Sequence, residues 1–172
     1  MNSYNEINIP SCAVYNDTEI RGFFSEYMYL SNFWSANIWF EGRFYTCAEN
    51  AYQAAKVRPE YREHFNVIKP GQSKKEWKNY PRIDINKESW DARKYDVMSA
   101  IVFDKFYRNI ELREKLLATE NKYLEETNFW RDTYWGVYEG SGDNNLGKIL
   151  MNIRKFWQLK NIVCIRPLED KR

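Results

Sequence analysis

The spacing of hydrophobic and polar positions changes rhythm several times along this chain, and each change predicts an element. Residues 1–19 are polar and irregular, with Pro10 and no sustained period, and predict a lead-in arm. From Arg21-Gly22-Phe23-Phe24 the chain turns apolar, and Tyr29-Leu30-Ser31-Asn32-Phe33-Trp34 continues the run. Ile38-Trp39-Phe40 and Arg43-Phe44-Tyr45 then flank Glu41-Gly42. Two aromatic, β-favouring runs about a two-residue turn ending in glycine predict a hairpin. Thr46-Cys47-Ala48-Glu49 has the form of a capping box, with the Thr46 hydroxyl on the Glu49 amide and the carboxylate reaching back. The helix it opens, from Cys47 to about Arg58, ends at Pro59, whose ring biases the preceding residue away from helix.

A short charged helix is predicted over 60–67, and another starts at Pro70 and ends before Pro81. The longest candidate runs from Lys87 to Arg108, with Val97, Met98, Ile101, Val102 and Phe106 on its apolar side. A further helix covers about 111–118. Residues 125–145 carry turn chemistry, with Gly136, Gly140, Gly142 and Asp143-Asn144-Asn145. The last helix begins near Leu146 and spaces Ile149, Leu150, Ile153 and Trp157 for burial, and Ile162-Val163-Cys164-Ile165 predicts a strand. With no repeat, linker or low-complexity segment, these elements predict one α+β domain, mainly helical, with a small antiparallel sheet near the N-terminus. Its parts are an arm at 1–19, the domain at 20–160, and a C-terminal strand and tail at 161–172.

Composition narrows the chemistry. Hydrophobic residues at 44% and aromatics at 17% exclude a disordered chain, and the rings exceed what a core this size needs, so some should line a half-wet site. The formal charge of +2 does not advertise nucleic-acid binding, although a local basic stripe can still hold phosphate. No apolar run approaches a membrane span, and no leader is evident. Cys12, Cys47 and Cys164 are odd in number and lack CxxC spacing, which predicts a reducing, cytoplasmic setting. His64 is the only histidine, in the charged stretch Tyr61-Arg62-Glu63-His64, where an exposed helix position is expected. Triad chemistry or a zinc site would depend on it. Hydrolytic chemistry therefore falls to carboxylates, lysines or tyrosines, and no metal or cofactor is expected.

The sharpest constellation lies on the helix after Thr46. Glu49, Gln53 and Lys56 are spaced i, i+4 and i+7 on one face, with Tyr52 adjoining. Glu49 and Lys56 stand roughly 10 Å apart along the axis, about the length of a ribose with its base or phosphate. Ala48, Ala51, Ala54 and Ala55 keep the helix thin. Spacing alone leaves two readings open. Glu49 is a cap, with Gln53 and Lys56 on the surface, or the carboxylate stabilises an oxocarbenium-like centre and the lysine serves as an amine nucleophile.

The segment from Tyr45 to Lys56 resembles the signature helix of the NADAR (YbiA-like) family of N-glycosidases. Phe23-Phe24 and Leu30-Ser31-Asn32-Phe33 resemble its opening motif, and Trp90, Met98 and Lys105-Phe106 its central helix. Leu116-Leu117-Ala118-Thr119, Asp132, Tyr134-Trp135-Gly136, Asn144, Leu146-Gly147, Leu150-Met151 and Arg154 follow in order. The resemblance implies hydrolysis of a ribose C1′–N bond. It carries catalytic roles to Glu49, Lys56 and Asp132, and substrate contacts to Asn32, Phe33, Tyr52, Gln53, Trp90, Trp135, Gly136 and Asn144.

Family substrates include ribosylamino-pyrimidine phosphates, early intermediates of riboflavin synthesis, and ADP-ribosylated guanine in DNA or RNA, for which a lysine Schiff base is one proposed route. One stretch departs from the pattern. Where the family reads alanine, a basic residue, two spacers and glycine-arginine, this chain has Ser73-Lys74 and Trp77-Lys78. Lys74 and Lys78 can still meet phosphate as point charges, whereas Trp77 either narrows the rim or offers a stacking platform. Three readings follow: an N-glycosidase on a phosphorylated ribosyl nucleobase, a glycohydrolase on ADP-ribosylated guanine in nucleic acid, or a non-catalytic module binding ADP-ribose or a nucleotide.

Overall fold

In the computed structural model, which describes residues 10–83 and 87–165 (backbone only for 87, 88 and 161–165), the Glu41-Gly42 turn organises the first part of the chain. Both residues have positive φ, 44° and 80°, the twist that suits a two-residue hairpin. It joins β3 (Ser35–Phe40) to β4 (Arg43–Cys47), antiparallel, with Ile38 opposite Tyr45 and both buried. Trp39 and Phe44 lie on the outer face and pack edge to face at 4.5 Å. Two strands alone are marginal in water. The hairpin is fastened to α3 (Lys87–Arg108), where the Asp104 carboxylate accepts from the Trp39 amide at 2.6 Å.

β4 runs directly into α1 (Ala48–Ala54), which stops four residues short of Arg58, where it was expected to end. The expected capping box does not form. Cys47 is the cap, its Sγ accepting from the Asn50 amide at 3.4 Å, while the Thr46 hydroxyl donates to the Asn66 carbonyl. Because β4 stays extended through Thr46, that hydroxyl faces the segment before α2 (Pro70–Glu76) rather than the helix end. Every residue of α1 is buried. A helix of seven residues does not persist by itself, so α1 depends on the packing that its alanines permit.

Helix α3 has the bounds the sequence predicts, and α4 (Ile110–Leu117) and α5 (Asn145–Ile165) begin one residue early. Met98, Ile101, Val102 and Phe106 of α3 meet Leu146, Ile149, Leu150 and Ile153 of α5 in the core. The strand expected at 162–165 is instead the last turn of α5: its β-branched residues follow an established helix, and propagation costs far less than a new start.

Beside the expected antiparallel hairpin, the chain forms strands that its sequence did not suggest. β1 (Val14–Tyr15) belongs to the presumed arm yet pairs antiparallel with β2 (Glu19–Arg21), and β2 pairs in parallel with β5 (Tyr123–Glu125). A second short parallel pair joins β6 (Thr127–Asn128) to β7 (Val137–Tyr138). His64 lies on the 3-10 helix Pro59–Phe65 and is exposed, as expected, its Nε2 2.6 Å from the Glu76 carboxylate. No described helix is long and apolar enough to cross a membrane.

Lys105 ties this frame to the Ser31-Asn32-Phe33 loop. Fully buried on α3, it donates to the carbonyls of Tyr29 and Ser31 at 2.7 and 2.8 Å. Burial pushes its pKa down to about 7. Placing an ammonium at this depth costs several kcal/mol, which is tolerable only with such partners.

Candidate active site

Glu49 is 6% exposed, and its backbone amide donates to the Asn32 carbonyl at 3.0 Å. Its side chain turns inward, so that Oε1 accepts from Gln53 Nε2 at 2.7 Å. The other end of that amide, Gln53 Oε1, accepts from Lys56 Nζ at 2.7 Å. The i, i+4, i+7 stripe is therefore a hydrogen-bonded relay from carboxylate through amide to ammonium. Burial raises the Glu49 pKa, opposed by the Gln53 bond and by the charges of Lys74 and Lys56. Burial lowers that of Lys56 to about 8, opposed by Glu49. Its Nζ stands 4.6 Å from the Tyr52 and Trp77 ring centres and 5.7 Å from that of Trp90. Trp77 thus covers the lysine rather than narrowing the rim.

The opposite wall is the segment that follows β5. Asp132 Oδ1 accepts from the amides of Tyr134 and Trp135 at 3.1 and 2.8 Å, so one oxygen builds the turn. Asn128 clamps the same turn, donating to the Asp132 carbonyl and accepting from its amide. Asn144, buried with φ of 50°, donates to the Leu124 carbonyl and the Tyr123 hydroxyl and accepts from the Glu126 amide. At Gly136 a Cβ would run into the Glu126 carbonyl.

Between the walls lies a cavity of about 460 Å³. Of the residues singled out from sequence, Asn32, Phe33, Glu49, Tyr52, Gln53, Lys56, Lys74, Asp132 and Trp135 line it. Trp90 sits behind Tyr52, ring centres 5.4 Å apart. Gly136 and Asn144 shape the wall from behind, and Lys78 is exposed outside the lining. The NADAR domain family matches residues 15–158 of this chain.

The chain belongs to the NADAR family. It is 34% identical to the N-glycosidase YbiA of Escherichia coli over 134 residues, which cover 76% of this chain and 81% of that protein. It is 29% identical to the N-glycosidase Npun_R5314 of Nostoc punctiforme over 145 residues, covering 82% and 91%. Its match to the riboflavin biosynthesis protein VVA0006 of Vibrio vulnificus, 31% identical over 134 residues, covers 74% of this chain but only 35% of that relative. The NMR structure of E. coli YbiA superposes with a TM-score of 0.72 at 29% identity, covering 94% of this chain and 96% of that one.

The NADAR cavity also holds residues that sequence reasoning passed over. Glu126 lines it, its pKa pushed up to about 8 by burial and by the neighbouring Asp132. Phe24, Met28, Trp130 and Met98 supply much of the apolar lining. Phe24 belonged to a noted motif, but Glu126 sits in the aperiodic run Glu125-Glu126 with nothing local to mark it. Together these groups offer a buried carboxylate, an ammonium that exchanges its proton near neutrality, and aromatic walls that exclude water. That combination favours positive charge developing on a bound ligand.

Proposed function

We propose that this hydrolase of N-glycosidic bonds cleaves the ribose C1′–N bond of a phosphorylated ribosyl nucleobase or riboflavin-pathway intermediate. The observation that carries the reading is Glu49, a carboxylate sealed in an aromatic-lined cavity and aimed by the Gln53–Lys56 relay. Breaking C1′–N places positive charge on the sugar, so an adjacent carboxylate helps the transition state more than the ground state. The relay fixes that carboxylate before substrate arrives, and Glu49 then takes the proton of the attacking water. Lys74, on the cavity rim 6.0 Å from the Phe33 ring centre, meets the phosphate. Asn32 Oδ1, buried without a partner among the described residues, accepts from a ribose hydroxyl or base N–H, while Tyr52 and Trp135 wall the base. Asp132 presents its remaining oxygen to the ribose.

A second reading, the same chemistry on ADP-ribosylated guanine in nucleic acid, draws on the exposed Phe129 and Trp130 beside the cavity, with Phe24 stacked on Phe129 at 6.3 Å. Exposed rings of this kind suit bases of a flanking strand. Base release from a ribosylamino-pyrimidine phosphate and from an ADP-ribosyl-guanine oligonucleotide separates the two. Cleavage of the small compound supports the proposal, and cleavage of the oligonucleotide alone supports the second reading. Binding without turnover of either leaves a non-catalytic nucleotide-binding module.

A further inference from the structure

We infer that Glu126 is the general acid of this reaction, delivering the proton to the nitrogen of the departing base. The inference rests on the N-glycosidase reading above. Glu126 lines the same cavity as Glu49, from the opposite wall, which it shares with Asp132. Its Oε2 is sealed from solvent and has no hydrogen-bond partner among the described residues. Glu126 as a whole is half-buried, but ionised it would leave this one oxygen sealed without a donor, whereas a carboxylic acid there loses little. Four charged groups face it. Asp132 and Glu49 favour the protonated form, Lys105 and Lys74 the ionised one, and burial, the largest effect, adds to the first pair and outweighs the second.

Glu49 is also pushed up by burial, but its carboxylate has what Glu126 Oε2 lacks: the Gln53 amide donates to it at 2.7 Å, and the charges of Lys74 and Lys56 oppose the rise. Carboxyls whose surroundings differ in this way divide into acid and base.

The backbone of Glu126 is fixed on both sides. Its amide donates to Asn144 Oδ1 at 3.1 Å, and its carbonyl accepts from the Val137 amide at 2.9 Å. Gly136 leaves room for that carbonyl. Asn144 and Gly136 are thus positioning residues for Glu126 rather than ligands of the substrate.

The step balances as written. The C1′–N bond breaks, its electron pair stays on nitrogen, and the Glu126 proton joins that nitrogen. Water oxygen bonds to C1′ and gives a proton to Glu49. Exchange with solvent then returns one proton to Glu126 and takes one from Glu49.

The test sets substrates that differ in their need for a proton against Glu126→Gln and Glu126→Asp. A ribosylamino-pyrimidine phosphate needs protonation of its base. Nicotinamide mononucleotide does not, because its cationic pyridinium leaves as a neutral base. Glu126→Gln should lower kcat for the first by roughly 100- to 10,000-fold and for the second by less than about tenfold. Glu126→Asp should recover part of the first loss. The infrared band of a protonated carboxyl at pH 7 should be present in wild type and weaker by one carboxyl in Glu126→Gln.

Equal loss on both substrates, or no loss on either, overturns the assignment, as does absence of that band from wild type. A Glu126→Gln protein that does not fold leaves the band in wild type and the kinetics of Glu126→Asp to decide. Glu126→Asp should then be slowed more on the pyrimidine compound than on the nicotinamide one, and equal slowing overturns the assignment. A wild type that hydrolyses neither compound overturns the N-glycosidase reading and this inference with it, whereas failure of the Glu126 tests alone leaves the reading standing.

Discussion

Replacing Gln53 by Met removes the centre of the relay while keeping volume and helix propensity. Gln53 is 3% exposed, and its amide serves both Glu49 and Lys56 at 2.7 Å. A hydrogen bond to a charged group contributes about 1.5–3 kcal/mol. Its loss raises the pKa of Glu49, since burial then acts with less opposition. Each 1.36 kcal/mol is a factor of ten in the ionised fraction, so activity on the acid limb should drop roughly 10- to 100-fold. Well above that limb Glu49 ionises again and the rate should largely return. The assay is kcat/KM for base release across pH 4–9, beside wild type and Lys56→Met, which keeps the Gln53–Glu49 bond. An acid limb that does not move in Gln53→Met would refute Glu49 as the titrating carboxylate.

Other perturbations probe separate parts of the site. Lys56→Ala distinguishes covalent from water-only chemistry: a sugar adduct trapped by borohydride in wild type should vanish, and its persistence removes Lys56 as the amine. Glu126→Gln should stabilise the protein at alkaline pH. The folded pKa of Glu126, about 8, lies above the 4.5 expected of an unperturbed glutamate, so the folded state binds more protons between those values and stability falls as pH rises through them. The variant lacks this loss. Its advantage, about 1–3 kcal/mol after allowing for solvent near the cavity, should appear by thermal melting at pH 9 and disappear at pH 4.5. Gly136→Ala should cost about 1–3 kcal/mol, because its Cβ meets the Glu126 carbonyl, and should reduce turnover more than ligand binding. A variant as stable and active as wild type would contradict that packing.

The long helices were legible because their apolar periods are long and strong: α3 has its predicted bounds, and the hairpin follows from Glu41-Gly42. The β2–β5 pairing joins segments about a hundred residues apart and leaves no local trace, so a parallel contact was missed. Ile162-Val163-Cys164-Ile165 misled because strand propensity is weak against a helix already under way. The capping-box spacing at Thr46 was met, yet Glu49 turned to Gln53, since the buried carboxylate gains more from an amide donor at 2.7 Å than from reaching back to the helix end. The stripe Glu49, Gln53, Lys56 was readable because helical geometry alone makes these residues neighbours. Glu126 was not, because its environment is assembled from the Asp132 turn, Asn144 and α3. Gly136 and Asn144 were assigned to substrate, but their contacts are with the wall.

The central claim is that Glu49 acts in the reaction rather than in the fold. Its most direct test compares wild type with Glu49→Gln in release of base from a ribosylamino-pyrimidine phosphate, with binding of ribose 5-phosphate measured on both. The account predicts turnover lowered by roughly a thousandfold or more, with binding and melting temperature close to wild type. Turnover in Glu49→Gln equal to wild type would contradict it.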